Sequence, residues 1–158
     1  MLTVHLRTRR EMSKVDAHWN IMPEVVKLVR DMTGSVEDGG TVILGNGDVI
    51  SVEEGKKLAK TSGCDGVMIG RGMFGTPWLF DDAEFKKGKT TEERLAILIE
   101  HTKLFEEKLG DIKSFAIMKK HYKAYVNGFD AAKELRMDLM ETNTAQEVEE
   151  KINIFLAK

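Results

Sequence analysis

Cysteine occurs once in the 158 residues and proline only twice. The single thiol, Cys64, excludes an intramolecular disulfide and fits a reducing compartment. No zinc site can rest on it alone, and no metal site is expected. Long apolar runs are also missing: none approaches the roughly 20 residues of a membrane-spanning helix, and no basic segment followed by an apolar stretch opens the chain. The expected address is the cytoplasm, with no membrane partner. Excess charge of one sign is absent too, because 24 Lys and Arg stand against 26 Asp and Glu. The net charge of −2 carries no whole-chain signature of nucleic-acid binding, so any basic surface has to be local. What remains, 42% hydrophobic and 32% charged residues, is the balance of a folded globular protein. The length suits one ordinary domain or two small ones.

The order of patterns divides the chain in two. Leu2-Thr3-Val4-His5-Leu6-Arg7 reads as a strand starting almost at Met1, as though in mid-fold. Its alternation puts His5 and Arg7 on one face near its carboxyl end. Thr8 to His18 is polar and basic and reads as a loop. From Asn20 the spacing of Val25, Leu28, Val29 and Met32, with Pro23 in the first turn, predicts a helix. Thr41-Val42-Ile43-Leu44 predicts a second strand running into the turn Gly45-Asn46-Gly47-Asp48. Ser51 and Glu54 form a Ser-x-x-Glu capping signal for the next helix. Gly66-Val67-Met68-Ile69-Gly70 predicts a third strand opening into Arg71-Gly72. Strand-helix alternation of this kind argues for parallel strands. Residues 81–89 read as a charged linker, and after it only helices follow. They are expected from Thr90 to Gly110, with Leu95, Leu98, Ile99 and Phe105 as the apolar stripe, then from about Ile112 to Val126, Ala131 to Glu141 and Ala145 to Leu156. The fold expected is α/β followed by all-α.

Two glycine-rich turns after consecutive strands carry the chemistry. Gly70-Arg71-Gly72-Met73-Phe74-Gly75 fits G-x-G-x-x-G, but a dinucleotide site also needs an acidic residue closing a second strand some 20 positions on, and that region is the helix around Glu92. The better match is the phosphate site of a (β/α)₈ barrel, built by the last two strand-to-helix loops. Glycine frees backbone N–H groups, the Arg71 guanidinium suits a phosphate, and Asn46 and Asp48 can bond hydroxyls or the loop itself. His5 and Arg7 project at the same functional end. Cys64 lies at the opposite end of its strand and reads as packing. In the helical half, Lys119, Lys120 and Lys123 surround His121, with Tyr122 and Tyr125 nearby and Lys133 and Arg136 on the next helix. Such interleaving can bind a nucleic-acid backbone and stack on bases. A solvated charged face is the competing reading, which the residues alone favour.

Taken together, Leu2 to Arg9, Gly45-Asn46-Gly47-Asp48-Val49, Gly63 to Gly72 with Pro77-Trp78, and Lys120-His121 through Ala132-Lys133-Glu134-Leu135-Arg136 resemble the C-terminal half of the tRNA-dihydrouridine synthases. The resemblance implies the C-terminal part of a TIM barrel, about three parallel strands in residues 1–80, and a four-helix tRNA-binding bundle in residues 90–158. It implies that Asn46, Gly47, Asp48, Gly70 and Arg71 hold the phosphate and ribityl end of FMN, with His5 at the isoalloxazine and NADPH as reductant. It further implies that Arg7, Lys119, Lys120, His121 and Arg136 face tRNA. The family's acid cysteine and flavin-binding lysine belong to an N-terminal half with the first five strands, none of it in this sequence, so no catalytic residue is expected here. Leu6 and Thr76 stand where the family usually has glycine and asparagine, and Thr33 to Thr41 is longer than usual. A cut barrel is expected to expose an apolar inner face and an unpaired edge at residues 2–7. It should therefore self-associate or need the absent half. The alternatives left open are a non-catalytic tRNA-binding module and another FMN- or phosphate-binding barrel enzyme.

Overall fold

The computed structural model describes residues 1–158, apart from the side chains of Asp82 and Glu84. Its contacts divide into two compact units, Met1–Met73 and Phe74–Lys158.

In the first unit, β1 (Leu2–His5), α1 (Met22–Thr33), β2 (Ile43–Asn46), α2 (Val52–Ser62) and β3 (Gly66–Met68) follow in order. The strands form one parallel sheet, β1-β2-β3, in which His5, Asn46 and Met68 lie side by side at the carboxyl ends. Alternation sorts the two faces. Val4 and Ile43 turn towards the helices and join a core with Leu6, Met22 and Cys64, while Val67 lies against Gly55 of α2. The other face carries Thr3, His5, Leu44, Asn46 and Met68. It is mixed rather than purely apolar, because the strand ends devote their inward positions to polar side chains.

The strands are shorter than their sequence patterns. β1 stops at His5 instead of Arg7, and β2 starts at Ile43 instead of Thr41. A clamp at the amino ends accounts for the second limit. Arg30, near the end of α1, donates to the Thr41 carbonyl and to both Asp65 carboxylate oxygens, at 2.7 and 2.6 Å. Asp65 Oδ2 also accepts from the Ile43 N–H at 2.6 Å. That backbone bond, more than Arg30, holds the Asp65 carboxyl below the usual range. The helix, β2 and the approach to β3 are thereby tied at one corner.

Only part of the apolar spacing read on α1, Val25 and Val29, faces the core. Buried Met22 and half-buried Val25, Val26 and Val29 form the core-facing i, i+3, i+4, i+7 set, whereas Leu28 and Met32 are exposed. Ser51 caps α2 by accepting from the Glu54 N–H, but Glu54 accepts from Ile50 rather than from Ser51, so the box closes one residue early.

The second unit is helical: α3 (Asp82–Lys87), α4 (Thr91–Leu109), α5 (Lys119–Tyr125), α6 (Ala132–Met140) and α7 (Ala145–Leu156). A helix thus occupies most of the segment read as a linker. Thr90 and Glu93 form the complete reciprocal capping box. The core gathers Leu95, Leu98 and Phe105 of α4 with Tyr122, Tyr125, Leu135, Leu139, Val148 and Ile152. The single helix expected over 112–126 is broken. Ser114 takes an extended backbone and caps a short 3₁₀ turn over Phe115–Ile117 before α5 starts at Lys119. None of the helices among the described residues is long and apolar enough to cross a membrane.

Candidate functional site

The carboxyl ends of the three strands surround a cleft of about 430 Å³, lined by His5, Arg7, Asn46, Gly47, Asp48, Gly70, Arg71 and their neighbours. All six residues expected to touch a cofactor line it, and so does Arg7. Parallel pairing brings them together, since every strand of such a sheet delivers its following loop to the same end.

Asn46 is the hinge of the inner wall. Its Nδ2 donates to the Met68 carbonyl at 2.7 Å, which leaves Oδ1 facing His5 Nδ1 at 2.6 Å. An amide oxygen only accepts, so His5 must carry its proton on Nδ1. With Nδ1 so engaged, Nε2 is the ring nitrogen left for a ligand.

Asp48 is the hinge of the outer wall. Arg7 donates to its Oδ2, the Ala17 N–H donates to the same oxygen at 2.9 Å, and Arg71 reaches Oδ1 at 3.4 Å. The Arg7 hydrogen bond is the main reason its carboxyl sits below the usual carboxylate range, with burial opposing it. Arg7 also donates through Nε to the Val15 carbonyl at 2.6 Å and is only 5% exposed. Its guanidinium therefore holds the loop after β1 against the loop after β2. Arg71, by contrast, is 64% exposed and bonded to Ser13 Oγ at 2.9 Å. The turn is tight: Gly47 has φ of 140° and Asp48 φ of 57°. A Cβ on Gly72 would lie 2.4 Å from the Val49 carbonyl, whereas one on Gly70 would meet nothing within 4 Å. Gly72 lets the two loops touch, and Gly70 keeps the approach open.

The sequence reading missed Trp19, Ala17 and Ser13 around this cleft. Only the pre-helical position of Trp19, a large apolar side chain closing a polar loop, was a local signal.

The basic cluster of the second unit splits between two places. Lys119, Lys123, Lys133 and Arg136 share a groove of about 250 Å³ between α5 and α6 with Tyr122, Met137 and Met140. Within it Lys119 donates to the Met140 carbonyl and Arg136 to the Val126 carbonyl, both at 2.6 Å. Lys120 is exposed. His121 instead packs between Phe74 and His101, with ring centroids at 5.0 and 5.2 Å. Burial lowers the proton affinity of both histidines. Tyr122 and Tyr125 do not offer the stacking platform their spacing suggested. They are 1% and 2% exposed, because α5 turns its tyrosine face into the core, where Tyr122 meets Thr142 at 3.1 Å. No group of three or more metal-ligating side chains occurs among the described residues.

The chain is an α/β unit with a cleft in the loops after consecutive parallel strands, followed by a helical unit with a basic groove. The dihydrouridine synthase family model matches residues 1–158, and the chain belongs to that family. It is similar to a probable tRNA-dihydrouridine synthase of Staphylococcus epidermidis, 39% identical over 158 residues, or 99% of this chain and 46% of that protein. A probable tRNA-dihydrouridine synthase of Staphylococcus aureus shows the same identity and coverage. The probable tRNA-dihydrouridine synthase 2 of Bacillus subtilis is 37% identical over the same share. The chain thus spans about half the length of the curated relatives it matches.

Proposed function

We propose that this chain is the part of a flavin-dependent tRNA-dihydrouridine synthase that grips the phosphate and ribityl end of FMN and docks tRNA. Its strands would belong to the C-terminal part of a (β/α)₈ TIM barrel, and α4–α7 would form the four-helix tRNA-binding domain. The observation that carries this reading is the convergence of His5, Asn46, Gly47, Asp48, Gly70 and Arg71 on one cleft. Its volume falls in the range of small-molecule sites, roughly 300–1,000 Å³, and its chemistry suits the ligand. Arg71 supplies an exposed cation for the phosphate, Asp48 an acceptor for a ribityl hydroxyl, and His5 a ring nitrogen directed by Asn46. With NADPH as reductant, bound FMN would supply the hydride that reduces a uridine in tRNA. Cys64 is not the acid for that step, because it is buried and bonded to Ser62 and the Gly66 carbonyl. On this reading the acid is the family's cysteine, supplied from outside this chain, and the cytoplasm is the proposed setting.

Titrating the chain with FMN and with riboflavin tests the first half of the reading. FMN should bind more tightly, and Arg71→Ala should weaken FMN by roughly tenfold while sparing riboflavin. Equal affinity for both flavins would refute the phosphate grip. The exposed lysines of the α5–α6 groove favour tRNA binding without chemistry as the second reading. Salt-dependent tRNA binding by a chain that takes up no flavin would select it.

A further inference from the structure

We propose that Trp19, which does not line the cleft, is a positioning residue that aims the Asp48 backbone N–H at the bound anion. The inference rests on the flavin-phosphate reading above. The indole lies on the helix side of β2, flat enough against the chain that a Cβ on Gly45 would come within 2.5 Å of Cη2 and Cζ3. Its Nε1–H donates to the Gly47 carbonyl at 2.8 Å. Because no cis peptide bond occurs among the described residues, the Gly47 C=O and the Asp48 N–H point in opposite directions across one plane. Holding the carbonyl on the helix side turns the N–H to the other side, where His5, Asn46 and Met68 line the cleft.

The neighbours of Trp19 serve the same end. The Ala17 N–H anchors Asp48 Oδ2 at 2.9 Å, and a Cβ on Gly47 would strike the Ala17 Cβ at 2.6 Å. The His18 N–H holds the segment to the Leu6 carbonyl at 2.8 Å. A peptide flanked by two left-handed residues, Gly47 and Asp48, has an accessible flipped alternative in which the carbonyl would face the anion. The indole hydrogen bond selects against it.

Trp19→Phe removes the Nε1–H donor together with the outer edge of the indole that lies over Gly45. It should lower FMN affinity by about tenfold and leave riboflavin affinity unchanged, which also reports that the cleft is intact. In ¹⁵N-resolved spectra of the wild-type chain, the Asp48 amide and the Trp19 indole N–H should both shift on addition of FMN or inorganic phosphate. A Trp19→Phe chain with the wild-type FMN-to-riboflavin ratio, or a wild-type Asp48 amide that ignores phosphate while FMN is still preferred, overturns the role of Trp19 alone. A wild-type chain with no preference for FMN overturns the flavin-phosphate reading and this inference together.

Discussion

Replacing Asp48 by Asn tests how the two cleft loops are held together. Asparagine tolerates the left-handed backbone at this position, so the substitution removes the charge and one acceptor without straining the turn. In the native chain Asp48 Oδ2 accepts from both Arg7 and the Ala17 N–H, and Oδ1 faces Arg71. An amide offers one oxygen to these three donors. At least one charge-assisted bond is lost, worth about 1.5–3 kcal/mol. The Asp48 side chain is 36% exposed, which places the cost near the lower figure, at about 1.5 kcal/mol. The pH dependence separates the carboxylate from its shape. The folded-state pKa lies below the ordinary 3.8, so the carboxylate stabilises the fold fully above the unfolded value and loses that effect as pH falls through the folded one. Urea unfolding of both chains should give the largest difference at neutral pH, shrinking below about pH 4. Asp48→Ala should cost about 1 kcal/mol more, because alanine resists the left-handed backbone. A difference between the native and Asn chains that does not change with pH would refute the assignment of Asp48 as the charged hinge.

Three further outcomes are expected. Gly45→Ala should displace the indole, costing about 1–3 kcal/mol in unfolding experiments and reproducing the flavin discrimination of Trp19→Phe. Tyr122→Phe should lower stability by about 1 kcal/mol through loss of the Thr142 bond and leave tRNA affinity as it was, since the ring is buried; a drop in binding would contradict that placement. Among the described residues β1 pairs only with β2, so its outer edge is a template for another strand. Size-exclusion chromatography of the isolated chain should show self-association, and a sharply melting monomer would count against it.

Periodicity and turn chemistry are local, and they were sufficient for the strand-helix alternation, the Thr90–Glu93 capping box and the two glycine turns. Family resemblance added the identity of the ligands: FMN for the glycine turns, its isoalloxazine for His5, and tRNA for the basic cluster. The same local patterns predicted the helix through Leu28 and Met32 but not which of its apolar residues face inward, because several apolar phases fit one helix and only packing in the core with Ile43 and Leu6 chooses among them. They also ran a helix through Ser114, where a side chain capping the backbone outcompetes continuation. Tyr122 and Tyr125 were drawn to the surface by neighbouring lysines, although burial of aromatic area decides which face of α5 turns inward.

By itself, the sequence determined which residues could bind an anion and that they follow consecutive strands. The tertiary structure alone decided how they are held. Arg7 meets Asp48 and His5 meets Asn46 across 41 positions, and Trp19 reaches Gly47 across 28. Those pairings follow from the parallel register of β1 and β2 and from the folding back of the loop between them. No spacing rule along the chain encodes them, because the contact belongs to the register and not to either segment.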